Sequence, residues 1–302
     1  MFCMSWMEIR DYDATWSAAR ARGACAQLES GEILFFSRPP FPLPQQDLDF
    51  LVSLRPADSR LHKNISYRPS EDRLRGFSGN SEETGRVHDI MRRYFAQVEQ
   101  FVARLLAPYS RNFQVDYASF RPLEEQGRDL PLHKKNDLLH VDAFPSRPTR
   151  GGRILRVFTN ANPVQSRVWM VGPRFPELAQ AFAIPAGLPH FASSGGARRG
   201  VLQALHSVGL PVPARSAYDE FMLRFHDWLK ENTAFQSDSA QHTRLDFPPL
   251  STWLVFTDGV PHAALSGQFA LEQTFIIPPD ALVTPQVAPI RVLENLCDRK
   301  LA

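Results

Sequence analysis

Two separated segments constrain the fold of this 302-residue chain more than any other feature of it. The first, "LLHVDAFPSRPTRGGRILRVFTNANP" (138–163), carries His140-Val141-Asp142. The second, "STWLVFTDGVPHAALSGQFALEQTFIIP" (251–278), carries His262 in a Gly/Pro turn. In extended backbone, residues i and i+2 point the same way, so His140 and Asp142 can reach one metal together. Two imidazoles and one carboxylate occupy one face of an octahedral iron and leave the other face open, the arrangement non-haem Fe(II) oxygenases use. His262 lies 120 positions beyond Asp142, so a distant strand must deliver it. An apolar run precedes it (Trp253 to Phe256) and a β-rich run follows it (Gln268 to Ile277). Strand, turn and strand is how a jelly roll presents a distal ligand at the mouth of its barrel.

The HxD triplet alone is a weak signal. With 9 His and 18 Asp in the chain, chance supplies roughly half an HxD. The second segment gives the triplet its meaning. A three-ligand open site also suits zinc, so a zinc hydrolase on a cupin-like barrel stands as an alternative at this point.

The length allows a large core and fits one large domain or two small ones, of which a single domain is expected. Charge is nearly balanced, with 34 basic against 32 acidic residues, and gives no argument for nucleic acid. Between Arg121 and Arg174, however, ten Lys/Arg face five Asp/Glu. That basic belt around the metal segment favours an anionic substrate or cosubstrate. Cys3, Cys25 and Cys297 are scattered and odd in number, which predicts a reducing compartment and no disulfide framework. "MFCMSWMEIRDYD" lacks a signal-peptide pattern, and no run approaches the ~20 apolar residues of a membrane span. A cytoplasmic protein is expected.

"GEILFF" (31–36) predicts a short strand. Helical spacing of Ile90, Met91, Tyr94, Val98, Phe101, Val102 and Leu105 predicts a helix over 82–107, ended by Pro108. "FQVDYASF" and "RILRVFTNAN" predict strands, and helices are expected at 176–183, 197–207 and 216–231, the last with an apolar stripe of Phe221, Met222, Phe225, Trp228 and Leu229. A short helix is expected in the tail from 284. The pattern is α+β: a double-stranded β-helix (jelly-roll, cupin-like) core over about 112–278, flanking helices, a helical insertion over about 170–240 between the ligand strands, and support from 1–110.

A 2-oxoglutarate oxygenase also needs a cation for the far carboxylate of the cosubstrate. Many of these enzymes place it 10 to 14 residues after the distal histidine, which here means Glu272, Gln273 or Thr274. No basic residue stands there. Arg156 is the first candidate, because in "RILRVF" it alternates with Leu155 and Val157; Arg153 then faces the other way. Arg121, ending the preceding strand, is the second. Among other histidines, His62, His88, His206 and His226 read as structural and His133 as loop. His190 and His242 sit in loop-like segments where either can line a pocket. No G-x-S-x-G elbow occurs, and "SSGGARRG" (193–200) lacks a P-loop ending.

"SFRPLEEQGR", the 138–163 segment, "RVWMVGPRF" and "WLVFTDGVPHAALSGQFALEQTF" together resemble the Kdo 3-hydroxylases. These are bacterial Fe(II)/2-oxoglutarate/O2-dependent dioxygenases acting on 3-deoxy-D-manno-octulosonic acid (Kdo) in lipopolysaccharide. The resemblance covers roughly 117–175 and 251–278. It implies His140, Asp142 and His262 as iron ligands, with Fe(II) as cofactor and 2-oxoglutarate and O2 as cosubstrates. The implied reaction is hydroxylation of Kdo at C3 in Kdo-lipid A, giving Ko. Arg121, Arg128, Arg147, Arg150, Arg153 and Arg167 are then expected to hold the anionic glycolipid, and Trp169 and Phe144 to offer sugar-stacking faces. Such an acceptor implies peripheral contact with the cytoplasmic face of the inner membrane. A 2-oxoglutarate oxygenase with another acceptor is the nearest alternative.

Overall fold

The computed structural model describes residues 6–13, 15–54, 61–193 and 215–302; the helix expected at 197–207 lies outside them. The chain opens with strand β1 (Trp6–Glu8), helix α1 (Ala18–Glu29), strand β2 (Ile33–Phe36) and helix α2 (Gln45–Ser53). A hairpin of β3 (Leu61–Arg68) and β4 (Arg73–Phe77) follows. Helix α3 (Ser81–Leu105) starts at a capping box: Asn80 accepts from the Glu83 N–H while Glu83 reaches back to the Asn80 N–H. Pro108, within the turn Ala107–Tyr109, does not continue it.

Next come β5 (Gln114–Arg121), β6 (Arg153–Asn160) and β7 (Arg167–Val171). The insertion contains α4 (Phe175–Phe182), α5 (Leu188–Ser193), α6 (Ala217–Glu231) and α7 (Thr233–Ser237). The chain closes with β8 (Thr243–Phe247), β9 (Thr252–Phe256), β10 (His262–Ser266), β11 (Ala270–Ile277) and α8 (Pro289–Cys297). No helix among the described residues is long and apolar enough to cross a membrane.

The strands form two sheets of a jelly roll. The larger has the order β1-β2-β9-β6-β11-β5-β3-β4, antiparallel except for the β1–β2 pair. The smaller has the order β10-β7-β8. The larger sheet therefore takes its four outer strands from the first 110 residues, beyond the 112–278 core expected from the sequence. The polar β3–β4 hairpin carries no clean alternation that would announce it.

Alternation along the central strands builds two cores. On β9, Leu254 and Phe256 join the large cluster with the helices, while Trp253 and Val255 join Phe158, Trp169 and Phe247 between the sheets. On β6, Leu155 and Val157 face the helices, and Phe158 faces the smaller sheet. Arg153 and Arg156 accordingly leave β6 in opposite directions. Arg156 enters the space between the sheets, where the site forms.

Candidate metal centre

His140 and His262 are a backbone pair. The His140 N–H donates to the His262 carbonyl at 3.2 Å and the His262 N–H to the His140 carbonyl at 2.9 Å, a single bridge that extends the smaller sheet beyond β10. Asp142 N–H donates to the Thr257 carbonyl at 2.8 Å, just past β9. The segment that carries His140 and Asp142 is thus an extended stretch, and not a regular strand. Its ligand atoms and that of His262 all lie within 4.8 Å of one another, and all three residues are buried.

Each imidazole is fixed in the same tautomer. His140 Nδ1 donates to the Leu138 carbonyl at 2.7 Å and His262 Nδ1 to the Val260 carbonyl at 2.9 Å. Nε2 of each ring is therefore the lone-pair atom available to a metal. His140 Nε2 lies 3.8 Å from Asp142 Oδ1. Trp169 stacks on the His262 ring with centroids 5.1 Å apart, holding its plane.

Charge states suit ligation. Burial, reinforced by His262, His226 and Lys230, holds His140 well below the usual imidazole pKa. Burial also lowers His262, against the pull of Asp142. For Asp142, burial alone would raise the pKa, but Arg156, the two imidazoles and the Thr257 hydroxyl more than reverse it. Two neutral imidazoles and one carboxylate are the donor set of a facial triad, and these residues fit an iron ion.

His140, Asp142 and His262 line a cavity of about 330 Å³. Its sheet-side wall holds Arg121, Arg156 and Arg167. Glu272 accepts from Arg121 Nε at 2.7 Å and Arg156 Nη1 at 3.0 Å. Arg167 donates to Glu125 at 3.2 Å and to the Gly267 carbonyl at 2.9 Å. Arg156 Nε lies 3.1 Å from Asp142 Oδ2, an ion pair in which neither atom is aligned for a hydrogen bond. Glu272 sits at one of the positions where a cation is common in such enzymes. Here the cations come from β5 and β6 on either side of it.

The other wall is helical. His226 and Lys230, four residues apart on α6, line the cavity beside His133 and Lys134. The His226 ring meets His140 edge-on at 4.8 Å, and its Nδ1 donates to the Val141 carbonyl at 2.8 Å. Gln236 of α7 accepts from the Leu139 N–H at 3.0 Å and donates to its carbonyl at 2.9 Å. Side chains of the insertion thus serve the backbone edge that β10 does not reach.

Arg167 and Trp169, both 2 % exposed, line this cavity from β7. Five of the expected substrate residues, Arg128, Phe144, Arg147, Arg150 and Arg153, do not. Arg153 is a correction: it donates to Asp258 at 2.8 Å and stacks over Phe256 on the opposite face of β6. A Cβ on Gly259 would come 2.5 Å from its guanidinium, so glycine there lets the Arg153 side chain lie where it does. Arg147 pairs with Asp116 and lies between Tyr117 and Phe144, in a separate depression that Arg150 also lines. His190 is exposed on α5, and neither it nor His242 lines the cavity. His226 and Lys230 were missed as site residues. Their spacing puts them on one helix face, but nothing in the sequence tells which surface that face meets. Glu272 had a readable signal: a carboxylate inside the apolar strand "ALEQTFII" demands buried cations.

A family model described as 3-deoxy-D-manno-oct-2-ulosonic acid (Kdo) hydroxylase matches residues 11–300. Crystal structures of the Kdo hydroxylase KdoO, a non-haem Fe(II) alpha-ketoglutarate-dependent dioxygenase, share the fold. The complex with alpha-ketoglutarate and Fe(III) matches at TM-score 0.84 and 36% identity, covering 100% of this chain and 98% of that one. The cobalt(II) complex matches at TM-score 0.84 and 36% identity over 99% and 97%, and the succinate and Fe(III) complex at 0.83 and 36% over the same shares. Comparison with curated proteins gave no match. With a buried two-histidine, one-carboxylate centre on a fold shared from end to end, this chain belongs to the Kdo hydroxylase family.

Proposed function

We infer that this protein is an Fe(II)- and 2-oxoglutarate-dependent dioxygenase that hydroxylates Kdo, at C3 and within Kdo-lipid A. The observation that carries the reading is the buried His140–Asp142–His262 triad opening into an arginine-walled cavity. Iron bound there supplies the oxidising chemistry: 2-oxoglutarate and O2 become succinate, CO2 and one oxygen atom for the substrate. The chain supplies the rest. His140, Asp142 and His262 would hold the metal on one face. Arg156 keeps Asp142 ionised, and Trp169 fixes the His262 ring.

The arginine wall suits the far carboxylate of 2-oxoglutarate. Arg167 Nε and Trp169 Nε1 are buried donors without a hydrogen-bond partner among the described residues, on side chains that line the cavity. Unpaired buried donors are costly, and an anion satisfies them. Arg121 and Arg156 meet on the carboxylate of Glu272, which sets two guanidinium groups side by side on this wall. This reading moves Arg167 and Trp169 from sugar binding to the cosubstrate. Arg147 and Arg150, beside the outer depression, remain suited to anionic groups of the glycolipid. A glycolipid acceptor places the enzyme at the cytoplasmic face of the inner membrane.

The test is incubation of the protein with Fe(II), 2-oxoglutarate, O2 and Kdo2-lipid A, followed by mass spectrometry of the lipid. Gain of one oxygen on the Kdo portion, dependent on all three small components, is expected. Succinate without oxidised lipid would remove this acceptor.

A further inference from the structure

A cavity that receives carboxylates is expected to be lined with donors, and Arg121, Arg156, Arg167 and Trp169 on its wall can only donate. His226 breaks that pattern. Its Nδ1 donates to the Val141 carbonyl at 2.8 Å, so in the neutral ring Nε2 carries a bare lone pair and can only accept. Among the described residues Nε2 has no hydrogen-bond partner. Nor is it one of the atoms that converge for a metal, which come from His140, Asp142 and His262. The ring nevertheless meets the His140 ring edge-on at 4.8 Å and lines the cavity beside it. Asn64 Oδ1 is a further buried acceptor without a partner on this cavity. It belongs to the arginine side, because the next residue, Ile65, pairs with Phe120, the neighbour of Arg121.

An unspent acceptor calls for a ligand with a proton to give. 2-Oxoglutarate has none: its two carboxylates and its keto oxygen are all acceptors, as is the carboxylate of a sugar acid. The sugar hydroxyls do have one. In a 3-deoxy-oct-2-ulosonic acid the reacting carbon C3 lies between C2 and C4. Once the sugar is glycosidically linked, the carboxylate and the oxygens on C2 carry no proton. The donor nearest to C3 is then the C4 hydroxyl, two bonds away at about 2.5 Å. With C3 over the candidate metal centre, that hydroxyl lies beside the triad. His226, in contact with His140, is the acceptor placed to meet it.

We propose that Nε2 of His226 accepts a hydrogen bond from the sugar hydroxyl on C4, next to the reacting carbon, and so aligns C3 with the metal centre. This rests on the reading of the protein as a Kdo hydroxylase. It gives the insertion between β7 and β8 a function: α6 brings an acceptor to a cavity walled by donors. The two ligands are thereby sorted by chemistry, with the cosubstrate drawn to the arginines and the hydroxylated sugar to the helical wall.

The experiment compares Kdo2-lipid A with an analogue in which the free Kdo C4 hydroxyl is replaced by hydrogen. Wild-type turnover of the natural lipid must be seen first; its absence defeats the Kdo reading and this inference with it. Given turnover, each lipid is titrated anaerobically into the wild type loaded with Co(II) and 2-oxoglutarate, where no reaction follows binding. The analogue should bind about tenfold more weakly or worse, because it leaves Nε2 desolvated and unpaired. His226→Asn keeps an amide N–H for the Val141 carbonyl and removes the acceptor. It should bind the two lipids alike, with the Co(II) affinity of the wild type. A wild type indifferent to the C4 hydroxyl overturns the proposal without any variant. So does a His226→Asn enzyme that keeps the preference; if its Co(II) affinity has fallen, the ring only supports His140.

Discussion

Gln236 closes on Leu139 from both sides, accepting its N–H at 3.0 Å and donating to its carbonyl at 2.9 Å. Leu139 immediately precedes His140, the first residue of the candidate triad. The amide thereby does the work of a neighbouring strand, and it is itself anchored to the Leu229 carbonyl at 2.8 Å. Gln236→Leu keeps the volume and removes every one of these bonds. We expect Co(II) affinity to fall about ten- to a hundredfold, as for other groups that orient metal ligands. Titration followed by the visible Co(II) absorption would measure it, and the band shape would report the disturbed geometry. Unchanged affinity and spectrum would leave Gln236 with a packing role only.

Asp142→Asn tests the anionic ligand. The neutral amide is a poorer donor to iron, and it leaves Arg156 facing only Glu272. Fe(II) affinity measured by anaerobic dialysis should drop by roughly two orders of magnitude or more. Retention of one iron per chain at wild-type affinity would remove Asp142 from the triad.

Arg153→Ala separates structure from function. The Arg153–Asp258 pair is almost wholly buried, and the substitution strands the Asp258 carboxylate. Breaking a buried pair in this way costs about 3–5 kcal/mol. Chemical denaturation should show that loss, while KM for substrate and cosubstrate in the folded fraction stays the same. A selective rise in the lipid KM would return Arg153 to substrate binding.

The cavity histidines also set a pH dependence for the metal-free protein. His140, His226 and His262 are each held below the usual imidazole value of 6.5, with burial the largest cause. As pH falls through 6.5 the unfolded chain takes up protons on these rings and the folded chain does not, so stability is lost toward acid. Each pH unit costs up to about 1.4 kcal/mol per ring kept neutral. The lowered pKa of Asp142 acts below 3.8, outside this window. The apo Tm should therefore fall between pH 7.5 and 5.5, and less steeply in His226→Gln. A flat profile would mean that the rings protonate in the folded state.

What could be read from the sequence follows from which interactions are local. His140 and Asp142 share a segment, and strand alternation alone sends Arg153 and Arg156 to opposite faces of β6. His262 was legible because apolar strands flank its turn. The contributions of α6 and α7 were not. His226, Lys230 and Gln236 act only once the insertion docks on the ligand segment, and docking is decided by apolar side chains such as Phe221, Phe225 and Leu229 that say nothing of what lies opposite. Trp169 read as a sugar platform because its exposure could not be judged. Its buried stack on His262 belongs to the tertiary structure.

Arg121 and Arg156 make distinguishable contributions to the arginine wall. Both donate to Glu272, but only Arg156 also touches Asp142. Arg121→Gln should therefore weaken 2-oxoglutarate binding alone. Loss of one partner from a buried charged contact corresponds to about 2 kcal/mol or more, near thirty-fold in Kd. Arg156→Gln removes the same kind of contact and also a cation that stabilises the ionised Asp142, so both 2-oxoglutarate and Co(II) affinities should fall. Calorimetric titration of each ligand into the two variants under anaerobic conditions reads the difference. If Arg156→Gln spares Co(II) affinity, its pairing with Asp142 has no bearing on the metal. If both variants bind 2-oxoglutarate like the wild type, the far carboxylate is held elsewhere, with Arg167 the next residue to substitute.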